Sequence, residues 1–283
     1  MLKKIIGIIG FGNMGQAIAE QLKNDYQVWC FDKDNAKIKG LANIKSASDI
    51  RGLLEESEII FLAVKPQDFE DLMREIKSCR HLGDKLFISI AAGILTTYIE
   101  KHLGIVRVIR AMPNIALSIQ EAMTCLCSGK YASIEDFDFA EDLFDYMGET
   151  MRIQENRFDW ATAVSGSGPG YFFNLIQAKK IDSNNVVLVK KFSEEFFKPE
   201  LTEAAKNIGF NQEEAEFLSK ATSNSCIGLL IKTALPPEEL EKQVVSKGGT
   251  TFAGLEVLRK GGTLIQAVEA AKKRSEELSK KKE

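Results

Sequence analysis

The sequence predicts an α/β fold in which a doubly wound, mostly parallel sheet (residues 1–157) precedes an all-helical unit (residues 158–283). Three observations predict it. Between residues 3 and about 153, short apolar runs alternate with amphipathic or polar stretches, the pattern of buried parallel strands joined by helical crossovers. The first of these runs ends in Gly10-Phe11-Gly12-Asn13-Met14-Gly15 and opens a helical stretch. Beyond Phe158 the apolar spacing becomes helical almost throughout.

Taken in order, strands are predicted at 4–10, 27–32, 58–64, 85–90, 106–111, 122–127 and 150–153. Helices fall near 13–24, 66–78, 94–102 and 133–147. In the second part the helical stretches are 168–179, 192–208, 211–233, 236–243, 248–259 and 261–278, with one short strand possible at 185–189. The stretch 211–233 is rich in apolar and small residues along its helical face, which suits either a core position or contact with a second copy of the chain.

Composition narrows the classes. With 37 Lys+Arg against 40 Asp+Glu, the net charge of −3 lacks the cation surplus on which general nucleic-acid binding rests. A hydrophobic content of 45% is ample for a core. The longest strongly apolar run, 86–95, is shorter than the ~20 residues a bilayer span requires, so no membrane partner is expected. The opening MLKKIIGIIGFGNMG has no long apolar region or small-residue cleavage site of the kind a secretory signal carries. Five cysteines without a C-x-x-C motif indicate neither a disulfide framework nor a zinc ribbon. Only His81 and His102 are available, neither near another plausible ligand, so no metal site is expected and a cytoplasmic location fits.

The glycine motif carries the first chemistry. Gly10 permits a tight turn at the end of the first strand, Gly12 lets the backbone approach a pyrophosphate, and Gly15 allows close helix–strand packing. The helix start then offers free N–H groups and partial positive charge to the phosphates. Asp32, at the end of the next strand, suits the adenine ribose hydroxyls of NADH, while Lys33 beside it suits the extra phosphate of NADPH, so either cofactor remains open.

Two further strand ends lie where open α/β sheets bind ligands: Ala63-Val64-Lys65-Pro66-Gln67 and Arg110-Ala111-Met112-Pro113-Asn114. In the second half, 165–170 (SGSGPG) and 246–251 (SKGGTT) are small-residue loops that open helices, suited to holding a carboxylate or phosphate on backbone N–H groups.

The ordered set GFGNMG, AVKPQ, SIAAG, RAMPN, SGSGPGY and SKGGTT resembles the pyrroline-5-carboxylate reductase family, over residues 3 to 278. The resemblance implies a Rossmann-type domain, a helical domain that interlocks with a second subunit in a homodimer or higher oligomer, and reduction of 1-pyrroline-5-carboxylate to proline by NADH or NADPH. It implies that Ile9, Gly10, Phe11, Gly12, Asn13, Met14 and Gly15, together with Ala63, Val64, Lys65 and Pro66, touch the cofactor. Ala91, Ala92, Met112, Pro113 and Asn114 would flank the nicotinamide and the imine. Ser246, Gly248, Gly249, Thr250 and Thr251 would hold the substrate, with the amides of Gly248, Gly249 and Thr250 on its carboxylate and the Thr251 hydroxyl at the ring nitrogen.

Departures from the family pattern are Lys247 where proline is usual, Ile115-Ala116 after the Met-Pro-Asn run, Gly170 where alanine is common, and an unmatched stretch near 179–200. No histidine is placed to act as an acid, so Thr251 is expected to orient the nitrogen or relay a proton from water. Two competing readings are a β-hydroxyacid or prephenate-type dehydrogenase, with Lys247 or Lys220 as base, and a reductase-like regulator without turnover.

Overall fold

The computed structural model describes residues 4–280. Two compact units divide them: residues 4–111 with 126–146, and residues 112–125 with 147–280. Residues 112–125 and 147–157 thus group with the helices.

Eight strands form one sheet: β1 (Ile5–Ile9), β2 (Gln27–Phe31), β3 (Ile44–Ser46), β4 (Ile59–Leu62), β5 (Leu86–Ser89), β6 (Arg107–Pro113), β7 (Ala122–Ser128) and β8 (Gly148–Arg152), in the order β3-β2-β1-β4-β5-β6-β7-β8. The pairings from β3 through β6 are parallel, with Gly7 of β1 opposite both Trp29 and Ile60. Hydrogen bonds from Asn114 N to Met123 O and from Gly129 N to Val108 O run β7 antiparallel to β6. Strand β4, IIFL, is apolar at every position and buried at every position, as a strand covered on both faces must be.

The first unit's helices are α1 (Asn13–Leu22), α2 (Ile50–Glu56), α3 (Phe69–Lys77), α4 (Thr96–Leu103) and α5 (Ile134–Asp145). One face of its core joins Ile9, Leu53, Leu62, Phe69, Met73 and Phe87. Strand β3 and helix α2 have no counterpart in the sequence reading. The first is a three-residue edge strand with two exposed positions. The second is short, and its start is marked by the Asp49 carboxylate, which accepts from Gly52 N at 2.7 Å.

The second unit is helical: α6 (Phe158–Ala161), α7 (Gly168–Ala178), α8 (Val186–Phe192), α9 (Lys198–Asn207), α10 (Gln212–Thr233), α11 (Pro237–Val244), α12 (Thr250–Arg259) and α13 (Leu264–Lys280). The strand expected at 185–189 is instead the start of α8. Asn185 caps it, accepting from Leu188 N at 3.2 Å, and Val189 and Phe192, three apart, turn inward while Val187 stays 74% exposed. Phe192 and Phe197 then pack on Phe172 of α7, with centroids 5.5 and 4.9 Å away, so the stretch near 179–200 is anchored by an aromatic cluster. Among the described residues no helix is long and apolar enough to cross a membrane.

Candidate active site

The first unit carries a cavity of about 360 Å³ at the carboxyl ends of β1, β2 and β4, lined by Ile9, Gly10, Gly12, Asp32, Lys33, Ala63, Val64 and Lys65 among others. The three motif glycines differ in why they are glycine. Gly10 has φ +98°, and a Cβ there would meet the Ala63 backbone at 2.7 Å. A Cβ on Gly15 would lie 2.0 Å from Gly10 O. Gly12, by contrast, has nothing within 4 Å of where its Cβ would stand. It is the N-cap of α1 without a side-chain cap, so the first N–H groups of the helix are left for a ligand. The fold itself requires Gly10 and Gly15; it does not require Gly12. This open cradle at a helix start fits a dinucleotide pyrophosphate.

Asp32 is held from three sides. Its carboxylate accepts from Phe11 N at 2.7 Å, from Asp34 N at 2.9 Å and from Lys37 Nζ at 3.0 Å. Burial works to raise its pKa, but these donors outweigh it and hold the group below the usual carboxylate range. Lys37, which the sequence reading missed, also lines the cavity, as do Gln67, Asp68 and Asp71. Its signal was a second cation five residues past Asp32, on the short turn Asn35–Lys37.

Not every expected residue faces the cavity. Phe11 is buried to 2% and contributes only its N–H, which Asp32 takes. Asn13, Met14 and Pro66 lie beside the lining residues, Pro66 as the first residue of the short turn Pro66–Asp68. Ala91 and Ala92 follow β5, Ala91 buried and Ala92 half-buried.

In the second unit the two small-residue loops meet. Thr251 Oγ1 donates to Ser167 Oγ at 3.2 Å, and Ser167 Oγ lies 3.1 Å from Thr250 Oγ1. Ser167 is fully buried and Thr251 is 5% exposed. Gly170 makes the approach possible, since a Cβ there would stand 2.4 Å from Thr251 Cγ2. Tyr171, one residue on, is wholly buried, and burial pushes its phenol above the ordinary value.

Residues 246–249 form a type II turn, with Gly249 N donating to Ser246 O at 3.0 Å and Gly248 at φ +70°. The Gly249 amide, expected at the substrate carboxylate, is therefore spent inside the turn. The N–H groups of Thr250 and Thr251, at the start of α12, have no intrahelical partner.

Of the RAMPN run, Met112 is half-buried and its Cε reaches to 3.1 Å from where a Gly166 Cβ would stand. Pro113 ends β6. Asn114 is 2% exposed, with Oδ1 accepting from Ala116 N at 3.1 Å and Nδ2 donating to Ser225 Oγ at 3.2 Å, so both ends of its amide are bonded inside the unit. Lys220 and Lys247 are exposed, and both histidines belong to the first unit.

A glycine-turned helix start over a nucleotide-sized cavity, together with a helical unit that closes two small-residue loops on one threonine hydroxyl, defines a two-unit oxidoreductase of the Rossmann type. Comparison with known proteins narrows this class. A family model described as "NADP oxidoreductase coenzyme F420-dependent" matches residues 5–93, and one described as "Pyrroline-5-carboxylate reductase dimerisation" matches residues 196–278. The pyrroline-5-carboxylate reductase of Methanosarcina acetivorans is 31% identical over 288 residues, covering 98% of both chains. Pyrroline-5-carboxylate reductase 1 of Bacillus spizizenii is also 31% identical, over 98% of this chain and 90% of that one. Among solved structures, Plasmodium falciparum pyrroline carboxylate reductase with NADP bound superposes with a TM-score of 0.64 at 26% identity, over 99% of each chain. The chain belongs to the pyrroline-5-carboxylate reductase family.

Proposed function

We propose that this chain reduces 1-pyrroline-5-carboxylate to L-proline with NADH or NADPH, the last step of proline synthesis. The observation that carries the reading is the meeting of Thr251 with Ser167, which fixes one polar group beside the free N–H groups that open α12.

The reduced nicotinamide, when bound, supplies a hydride to the carbon of the cyclic C=N bond. The residues of this chain do the rest. The N–H groups at the start of α1 take the pyrophosphate, with Gly12 leaving the space it needs. Asp32, Lys33 and Lys37 face the adenosine ribose. The N–H groups of Thr250 and Thr251 hold the substrate carboxylate through charge-assisted bonds of ~1.5–3 kcal/mol each. Ser246 and Gly248 shape the turn that leads into them. Thr251 Oγ1 orients the ring nitrogen, which must be protonated by the end of the reaction. A threonine hydroxyl is a poor acid, so the proton comes from water and the hydroxyl serves to position. Positioning alone can supply ~7–11 kcal/mol of the barrier reduction. Met112 and Pro113, with Ala91 and Ala92, are the apolar groups assigned to the nicotinamide face. Asn114 supports that loop from beneath, through Ser225.

Self-association into a homodimer or larger oligomer belongs to the same reading. Val187, Leu188 and Ile231 of the second unit keep 74%, 44% and 50% of their surface exposed, which is apolar area a second copy can cover. The five cysteines, four of them buried, suit the reducing cytoplasm.

The test is oxidation of NADH and of NADPH in the presence of pyrroline-5-carboxylate and, separately, a β-keto acid. Turnover with the cyclic imine alone is expected. Turnover with the keto acid alone would point to a β-hydroxyacid dehydrogenase, and turnover with neither would leave a non-catalytic protein.

A further inference from the structure

We propose that Arg274 is a positioning residue for substrate binding, holding the turn at residues 246–249 in the shape that presents the α12 N–H groups to a carboxylate. The proposal rests on the assignment of that loop to the substrate.

A type II turn is most stable with proline at its second position, where φ near −65° is built in, and glycine at its third. Here the third position is Gly248, at φ +70°, but the second is Lys247, an exposed side chain that restricts nothing. The turn therefore has half of its usual preorganisation. What stands in for the other half comes from 26 residues further along the chain: Arg274 Nε donates to Gly248 O at 2.8 Å. Among the described residues, no other side chain hydrogen-bonds the backbone of 246–249.

The latch is itself held. Arg274 Nη1 donates to Glu277 Oε2 at 2.9 Å, one turn further along α13, and α13 packs along α12. The guanidinium is thus fixed on a 17-residue helix before it reaches the loop, with its side chain 30% exposed. Gly248 O and the first N–H groups of α12 belong to consecutive peptides, so pinning the carbonyl sets the direction of the donors. Without the pin, the loop would have to be ordered by the substrate at the expense of affinity.

The experiment measures KM for pyrroline-5-carboxylate, kcat, and the Kd of NADPH in Arg274→Ala, Arg274→Lys, Lys247→Pro and the Arg274→Ala/Lys247→Pro pair. Arg274→Ala is expected to raise KM about tenfold, the effect of losing roughly one charge-assisted hydrogen bond's worth of order, with kcat and the NADPH Kd within about twofold. Arg274→Lys keeps one donor and recovers part of the loss. Lys247→Pro supplies the missing φ restriction from within the turn and is expected to restore KM in the double variant. A KM unchanged in Arg274→Ala overturns the proposal, and so does a rise that Lys247→Pro leaves in place. Thr251→Ala separates the two levels: if it lowers activity while Arg274→Ala does nothing, the latch alone is wrong. If neither moves KM or kcat, the loop's assignment to the substrate falls with it.

Discussion

Lys37 Nζ sits 3.0 Å from the Asp32 carboxylate on the wall of the cavity beside α1, and its ammonium offsets the carboxylate's charge where the adenosine ribose is proposed to lie. An unpaired aspartate there would repel a 2′-phosphate, whereas one covered by an ammonium, with Lys33 alongside, does not. Removing the cation by Lys37→Ala is expected to lower kcat/KM for NADPH about tenfold more than for NADH, because it exposes the carboxylate to the phosphate. Steady-state kinetics with both cofactors measure the ratio. Equal losses with the two would show that Lys37 does not see the 2′ position.

The glycine motif allows a sharper test, since its members are glycine for different reasons. Gly10→Ala and Gly15→Ala place a Cβ within 2.7 and 2.0 Å of backbone atoms, so both are expected to destabilise or unfold the chain. Gly12→Ala meets nothing within 4 Å, and its thermal midpoint should stay close to that of the unaltered protein while NAD(P)H binding weakens. Differential scanning calorimetry with and without cofactor separates the two effects. A Gly12 variant that binds cofactor normally would remove the pyrophosphate from the start of α1.

How much of this was legible in the sequence follows from the range of each interaction. The strands other than β3 and the three glycines are local signals, an apolar run and a turn within about fifteen residues, and they were read at nearly their observed positions. The two loops at 165–170 and 246–251 were also visible as small-residue helix starts, but nothing local shows that they touch. Ser167 and Thr251 are 84 positions apart. Asn114 was assigned to the substrate because of its motif, yet its amide is bonded to Ser225, 111 positions away. Arg274 lay in an ordinary amphipathic helix, and its role depends on a carbonyl 26 positions earlier. The error at 185–189 has a different origin. A run of β-branched residues reads as a strand by propensity, and the Asn185 cap with packing at Val189 and Phe192 made it a helix.

Gly170 and Thr251 form a second testable contact, since the threonine methyl occupies the space an alanine Cβ would fill. Gly170→Ala is expected to push Thr251 away from Ser167, cost about 1–3 kcal/mol in stability, and lower kcat. Thr251→Ser lacks the methyl, so adding it to Gly170→Ala should restore part of the activity. Thr251→Ala should lower kcat far more than it changes the Kd of the cofactor. Kinetics on the two single variants and the pair form a cycle. An additive cycle would mean the methyl and the missing Cβ do not compete.

Arg157 grips Glu214 with two parallel hydrogen bonds, at 2.7 and 2.6 Å, and Glu214 Oε2 also accepts from Asn211 N at 3.0 Å, closing the cap of α10. The Arg157 guanidinium is the main reason the Glu214 carboxyl lies below its ordinary value, with burial opposing and the Asn211 N–H adding to it. A carboxyl whose folded pKa is depressed stabilises the fold above its unfolded pKa of about 4.3, and that contribution drains away as pH falls through the folded value. Glu214→Gln keeps the size of the side chain but removes the charge, and is expected to cost about 1–3 kcal/mol at neutral pH. The gap in thermal midpoint between the two proteins should therefore be widest near pH 7 and narrow as pH falls from about 4.3, where the unfolded chain takes up its proton, through the lower folded value. Thermal melts across that range measure it. A gap that stays constant with pH would mean the Arg157–Glu214 contact contributes through shape and capping alone.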